Sequence, residues 1–279
     1  MNTAIVLGTF DGLHSGHRAV IEKADGFFGV AVTFDIPPKS ILTGDPQLLI
    51  LPEERAKRIK QLGIRQVEMQ NFNEVKDVKA DCYLRILKQK YNPSRIVCGF
   101  NYRFGCGAEG DTKLLAEFCK NNGIEFICVP PVKKDGITAS STNIRNLIRE
   151  GKMEEAASQI YGGFSFTQLV LHGDARGRTL GFPTANQIYP EKLVKAKRGV
   201  YVSRVMVDGK EYTAVTNVGI RPTYQTDTVG CETFIKDFSG DIYGKEMKTE
   251  LLRFVREERK FSSTEELKNA ILNDVKLLD

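Results

Sequence analysis

The sequence predicts an α/β domain built on a parallel sheet, followed by a small antiparallel β-barrel that ends in one helix. Three observations carry this expectation. Up to Ile160, short apolar runs alternate with helical periods, the mark of βαβ units and of a parallel sheet covered on both faces. From Tyr161-Gly162-Gly163 onward the pattern changes to short strand-like runs with hairpin signals. The 279 residues suffice for two domains at about 150 residues each.

Residues 4–7 are Ala, Ile, Val and Leu and read as a buried strand. Glycines follow, then a helical period over 17–24, and a second strand is expected over 30–34. The next helix, 53–62, has Pro52 at its start and Gly63 just past its end, the asymmetry that helix termini favour. Strands over 66–69, 95–98 and 125–129 are separated by helices over 79–91 and 111–122. A helix over 141–150, with Ser140, Ser141 and Thr142 near its start and Gly151 behind it, leads into a short helix over 153–160. These elements make the first domain, 1–162. In the second, 163–279, residues 199–207 alternate β-branched or aromatic with polar side chains. Asp208-Gly209 then supplies a two-residue hairpin turn whose central positions both need positive φ. Strands over 212–218, 231–237 and 248–254 and a closing helix over 263–277 complete it.

Composition narrows the function classes. Hydrophobic residues at 41% and charged residues at 27% exclude a disordered chain. The apolar stretches fall far short of the roughly 20 residues of a membrane span. The N-terminus lacks the basic and long apolar regions of a secretory signal, so a cytoplasmic location is the default. The net charge of +5 is spread along the chain; it suits anionic small molecules and does not argue for nucleic acid. Six cysteines form no CxxC pair, so free thiols are expected rather than a zinc or disulfide framework. Small-molecule substrates, no nucleic acid or membrane partner, and a monomer or weak homo-oligomer follow as expectations.

The run Gly8-Thr9-Phe10-Asp11-Gly12-Leu13-His14-Ser15-Gly16-His17 leaves the first strand and opens the first helix. In an open α/β sheet, ligands bind at the carboxyl ends of strands, beside helix N-termini. Glycines let the backbone approach phosphate, and the helix start offers free N–H groups. Two histidines three apart can serve one triphosphate, where a donating imidazole stabilises developing charge. Gly99-Phe100-Asn101-Tyr102-Arg103-Phe104-Gly105 follows the fourth strand, and Ser140-Ser141-Thr142-Asn143-Ile144-Arg145 opens a helix after the fifth. Arg145 and the hydroxyls can hold phosphate oxygens. Phosphate chemistry is thus expected at three strand ends of one sheet.

In the second domain, the run from His172 to Asn186 (HGDARGRTLGFPTAN) is dense in glycine and basic residues between two strands. Backbone donors at Gly173, Gly177 and Gly181, with Arg178, can hold ADP phosphates, and Thr184 and Asn186 offer neutral oxygens to a magnesium ion. Glu232 is the only carboxylate between Gly230 and Lys236.

Together these motifs resemble the bacterial bifunctional riboflavin kinase/FMN adenylyltransferase family, whose first module is similar to the HxGH nucleotidyltransferases. The family's GxFDGxHxGH, GxxFRFGxxxxG and SSTxIR segments occur here in order, as do GRxLGxPTAN, NxGxRPT (Asn217 to Thr223) and R-x-E-x-x-F (Arg256, Glu258, Phe261). Tyr102 stands where the family usually has phenylalanine, and Phe34-Asp35-Ile36-Pro37-Pro38 lacks the family's usual histidine. The resemblance implies ATP-dependent phosphorylation of riboflavin to FMN, then adenylylation of FMN to FAD. It implies Glu232 as the base of the first step and Mg²⁺ on Thr184 and Asn186. For the second it implies His14, His17 and Arg145 as catalytic groups. Nucleotide contacts would come from Gly8, Phe10, Asp11, Gly16, Asn101, Arg103, Ser141 and Thr142, and flavin contacts from Arg221, Arg256 and Glu258. The alternatives are a chain with one active module, the kinase being the one retained; a different phosphorylated acceptor; and a non-catalytic flavin-binding regulator.

Overall fold

A computed structural model describes residues 2–44, 47–134, 137–173, 181–220 and 229–278. The chain forms two compact units: Met1–Asn143 with Gln159–Tyr161, and Ile144–Ser158 with Gly162–Asp279. Among the described residues, no helix is long and apolar enough to cross a membrane.

The first unit is a five-stranded parallel sheet of β1 (Thr3–Leu7), β2 (Phe28–Phe34), β3 (Gln66–Gln70), β4 (Arg95–Gly99) and β5 (Glu125–Val129), in the order β3-β2-β1-β4-β5. Its helices are α1 (Ser15–Glu22), α2 (Pro38–Leu42), α3 (Pro52–Gln61), α4 (Phe72–Val75), α5 (Ala80–Tyr91) and α6 (Thr112–Asn121). All five expected strands form, because their Ile, Val and Ala runs are buried on both faces in the central β1, β2 and β4. Ile5, Leu7, Val30, Val32, Ile96 and Cys98 join Leu84 and Leu87 of α5 and Leu115 of α6 in one apolar cluster. Helix ends follow local chemistry. Asp111 caps α6 by accepting from the amides of Lys113 and Leu114 at 2.9 and 3.0 Å, and Asn92 ends α5 in the left-handed conformation. Two-residue strands β6 (Lys133–Lys134) and β7 (Ile137–Thr138) pair antiparallel just before α7 (Ser141–Glu150).

The second unit is a six-stranded antiparallel sheet that curls into a half-barrel. Its strands are β8 (Ser165–Leu169), β9 (Thr184–Ile188), β10 (Gly199–Val207), β11 (Lys210–Ile220), β12 (Val229–Ile235) and β13 (Glu246–Arg256), in the order β8-β13-β10-β11-β12-β9. Asp208 and Gly209 adopt φ of 49° and 76°, the positive pair expected of the β10–β11 hairpin. Helix α9 (Thr264–Val275) follows, capped by the Ser263 side chain on the Glu266 amide. The segment 144–158, with most of α7 and all of α8 (Met153–Ala157), lies in this unit, whereas the sequence groups it with the α/β domain. The Lys197 amide donates to the Ile148 carbonyl at 3.3 Å, and Gly151 sits against Phe254.

β8 and β9 are two strands the sequence does not delimit. β9 reads Thr-Ala-Asn-Gln-Ile and carries polar residues on both faces, so its alternation is hidden. Its Gln187 explains how the sheet curls shut. This fully buried amide donates to the carbonyls of Gln168 on β8 and Met247 on β13, at 2.9 and 2.7 Å. It accepts from the Thr249 hydroxyl at 2.7 Å. The sheet's two edges thus meet through this side chain and one backbone bridge just past β8, the Leu171 amide on the Asn186 carbonyl at 2.7 Å, instead of a ladder. Beside it a hydroxyl row, Ser203–Thr216–Thr233 at 2.7 and 3.0 Å, satisfies its own polar atoms inside the half-barrel.

Gln187→Leu keeps the volume and strands two carbonyls and a hydroxyl, each costing about 1–3 kcal/mol when buried unpaired. The variant's urea midpoint, read by circular dichroism, is expected to fall by an amount equivalent to roughly 3 kcal/mol or more.

Candidate functional site

The strand order of the parallel sheet reverses between β1 and β4, and ligands of open α/β sheets bind at such a switch, outside the carboxyl ends of the strands. The loops leaving those two ends are the 8–14 and 99–105 segments. The first is under strain. Phe10, Gly12 and Leu13 have φ of 49°, 90° and 46°, and Phe10 and Leu13 are fully buried. The Asp11 carboxylate holds this shape by accepting from the amides of Leu49 and Ile50 at 2.9 and 3.2 Å. It also faces the buried Arg55 guanidinium at 3.8 Å. Arg55 in turn binds the carbonyls of Phe34 and of Asp35, the latter at 2.8 Å, and so fixes the 34–38 segment. Asp11 therefore serves the loop's shape, and its carboxylate is committed there.

His14 is the N-cap of α1: its Nδ1 accepts from the His17 amide at 3.4 Å, and the two imidazoles stack at 3.7 Å. Burial, then the Arg18 charge, holds the His14 imidazole down at about 4 from its ordinary 6.5. It is neutral at pH 7, and since Nδ1 accepts, its proton sits on Nε2. His17 turns an edge to Phe10 at 5.6 Å between ring centres. Gly8 follows β1 directly, and Gly16 lies in the first turn of α1. The Ser141 hydroxyl donates to the Asp11 carbonyl at 2.8 Å, so the start of α7 is tied to the same loop. Thr142 is exposed beside it, and Arg145 is half-buried in the next turn.

In the 99–105 segment, Asn101 and Arg103 are exposed, and Arg103 stands 3.9 Å from the Asp111 carboxylate. The departure at Tyr102 has a local explanation. Its hydroxyl bonds that of Tyr83, which donates to Gln70 Oε1 at 2.9 Å, so the added oxygen is satisfied inside the core.

In the half-barrel, Asn186, Glu232 and Asn217 stand directly opposite one another on β9, β12 and β11. Residues paired in this way point to one face, and Thr184, two positions before Asn186, shares it. This face looks away from the hydroxyl row, and Glu232 is exposed on it. The strand register thus brings together the predicted base and both predicted magnesium residues. Their donors are a hydroxyl, a carboxamide and a carboxylate, all hard oxygens, which fits Mg²⁺. Gly173 crosses over Asn186 so closely that a Cβ there would lie 2.1 Å from Nδ2 and would push the carboxamide aside. Gly181 lies just before β9. Gly177, Arg178 and Arg221 fall outside the described residues. Arg256 is engaged with Asp274 by two hydrogen bonds, at 3.1 and 2.7 Å, and pins β13 to α9. Glu258 accepts from Asn217 Nδ2 at 3.2 Å.

The FAD synthetase family model matches residues 1–143 and the riboflavin kinase family model matches 162–279. The bifunctional riboflavin kinase/FMN adenylyltransferase of Listeria monocytogenes is 31% identical over 96% of this chain and 88% of its own length.

The chain belongs to the bifunctional riboflavin kinase/FMN adenylyltransferase family.

The Bacillus subtilis member is 30% identical over 98% of this chain and 90% of its own. A solved structure described as a macrolide-efflux protein from Streptococcus pneumoniae superposes with a TM-score of 0.88 at 29% identity, covering 99% of this chain and 93% of that one. Within this riboflavin kinase/FMN adenylyltransferase framework, sequence reasoning misses Arg55 and marks Asn217 only as the start of a motif, without a role of its own. Arg55 lies four residues before Ile59, on the inward stripe of α3; a cation on an apolar stripe is the signal of a buried partner.

Two outcomes test this geometry. Asp11→Asn leaves Arg55 buried without its partner, a change that costs about 3–5 kcal/mol. Asp11→Asn and Arg55→Met together are expected to cost less than the sum of the two single changes in urea denaturation. His14 carries a pH signature. The folded chain protonates it only near pH 4 and the unfolded chain near 6.5, so between these values the unfolded state holds more protons. This stabilisation is complete above pH 6.5 and is lost as pH falls to about 4, roughly 3 kcal/mol in all. In denaturation series from pH 4 to 7, His14→Asn is expected to show a flatter slope than the native chain.

Proposed function

We propose that this chain makes FAD from riboflavin in two steps at two sites. The half-barrel transfers the γ-phosphoryl group of ATP to riboflavin, giving FMN and ADP. The α/β unit, which we assign to the HxGH nucleotidyltransferases, joins FMN and ATP into FAD and pyrophosphate. We set the functional division at 162/163, a reading supported by the separate matches of the two family models. The observation that carries the kinase reading is the row Asn186–Glu232–Asn217, which sets one exposed carboxylate beside hard oxygen donors.

In the first step the Glu232 carboxylate takes the proton of the riboflavin 5′-hydroxyl as that oxygen attacks the γ-phosphorus and ADP departs. Thr184 Oγ and the Asn186 carboxamide oxygen hold Mg²⁺. That ion supplies neutralisation of phosphate charge. Backbone amides of the 173–181 loop, with Arg178, bind the ADP phosphates.

In the second step an oxygen of the FMN phosphate attacks the α-phosphorus of ATP, and pyrophosphate leaves. The nucleophile is already an anion, so this site needs no base. His14 contributes a neutral N–H at Nε2. His17, the first-turn amides of α1 and Arg145 stabilise the charge that develops. Ser141 acts through the Asp11 carbonyl, holding the start of α7 to the loop. Asn101 and Arg103, at the end of β4, contact the nucleotide across the switch point.

Assays with riboflavin plus ATP and with FMN plus ATP, resolved by chromatography, test both halves at once. Glu232→Gln is expected to lower FMN formation by about 10²–10⁴-fold and to leave FAD formation from supplied FMN unchanged. His17→Ala reverses the pattern, with adenylylation down by on the order of 10²-fold and riboflavin phosphorylation retained. A parallel loss of both activities in either variant, in a chain whose circular dichroism shows it still folded, would refute the two-site reading.

A further inference from the structure

Asn217 sits between two carboxylates. Glu232 is its direct neighbour on β12, and Glu258 takes its amide N–H at 3.2 Å. A carboxylate accepts hydrogen bonds and does not donate them, so Glu258 fixes which end of the carboxamide faces it: the nitrogen. The other end, Oδ1, is buried and has no hydrogen-bond partner among the described residues. Glu258 reaches this position because β11 carries Gly219 two residues on. A Cβ at Gly219 would lie 1.9 Å from Glu258 Oε1, so any side chain there would displace the carboxylate. A buried acceptor left unpaired is costly, and natural proteins rarely keep one without a use.

We propose that Asn217 Oδ1 is the acceptor for a hydroxyl of the riboflavin side chain next to the one that is phosphorylated, with Glu258 as the positioning residue that holds the carboxamide in the accepting orientation. This inference rests on the kinase reading above. Directly paired residues on neighbouring strands have their Cβ atoms about 4.5–5.5 Å apart. Glu232 must reach the 5′-hydroxyl, so a group one strand away meets the adjoining carbons of the polyol chain. The N–H of the flavin ring lies at the far end of the tricycle, beyond that reach. Asn217 Oδ1 thereby selects a hydroxylated chain: an analogue without hydroxyls leaves the acceptor without that partner. The site discriminates by what it would otherwise fail to satisfy.

The test compares riboflavin with lumiflavin, which has the same ring and a methyl group in place of the polyol. Binding to the full chain is read by quenching of flavin fluorescence. Asn217→Ala is expected to weaken riboflavin roughly tenfold and to leave lumiflavin unchanged, since one neutral hydrogen bond is lost. Glu258→Gln frees the carboxamide to turn over and is expected to lower the riboflavin-to-lumiflavin affinity ratio in the same direction by a smaller factor. The ratio serves as an internal control, because a variant that folds poorly loses both ligands together. An unchanged ratio in Asn217→Ala, in a chain that still phosphorylates riboflavin, overturns this inference and leaves the kinase reading intact. A native chain that neither binds nor phosphorylates riboflavin overturns both.

Discussion

The first unit depends on one buried carboxylate. Asp11 sits in a loop where two non-glycine residues, Phe10 and Leu13, hold positive φ, a conformation that costs about 1–2 kcal/mol each. A loop of that kind persists only if its surroundings over-determine it. Here the surroundings are two backbone amides and the guanidinium of Arg55, all reached from a single side chain. The ion pair is buried, so burial pushes the Arg55 guanidinium down while Asp11 and Asp35 oppose the shift. Such a pair adds little net stability but makes the loss of either partner costly. Its role is to fix geometry: with Asp11 in place, His14 can cap α1, and His17 can stack on it.

The half-barrel solves the same problem with different means. The face proposed to be reactive is built on strands, so pairing register, not loop strain, sets the spacing of Asn186, Glu232 and Asn217. A one-residue slip would turn all three to the other face. What protects the register is the polar interior behind it. The three contacts of Gln187 and the hydroxyl row on β10, β11 and β12 are each satisfied in only one alignment. Buried polar groups of this sort specify an arrangement more than they stabilise it.

The α/β unit was legible because its signals are redundant. β1, β2 and β4 each carry an unbroken apolar run, and α3 and α6 carry their own start and stop residues. β9 was not legible, because Gln187 points inward and Thr184 and Asn186 outward, so no hydrophobic alternation survives. The phosphate motifs could be read as motifs, since glycine and histidine at fixed spacing have few other uses together. What each polar atom does could not. Nothing in the string distinguishes the carboxylate of Asp11, spent on backbone amides, from that of Glu232, exposed on its strand face. That difference is made by Leu49, Ile50 and Arg55, about forty residues away in the chain.

The contrast between those two carboxylates also follows from the two reactions proposed. An alcohol is a poor nucleophile at neutral pH, and its attack on phosphorus requires somewhere for a proton to go. A phosphate monoester is an anion already and needs only orientation and charge neutralisation. A base at the second site would add negative charge beside two anionic substrates and oppose their approach. On that proposal the chain gains by keeping an exposed carboxylate on the half-barrel and by setting the one in the loop after β1 against a buried arginine. The same logic suits a histidine whose pKa is held near 4 in that loop: as a neutral N–H it would donate to phosphate, in the role proposed for it, without itself titrating between pH 6 and 8.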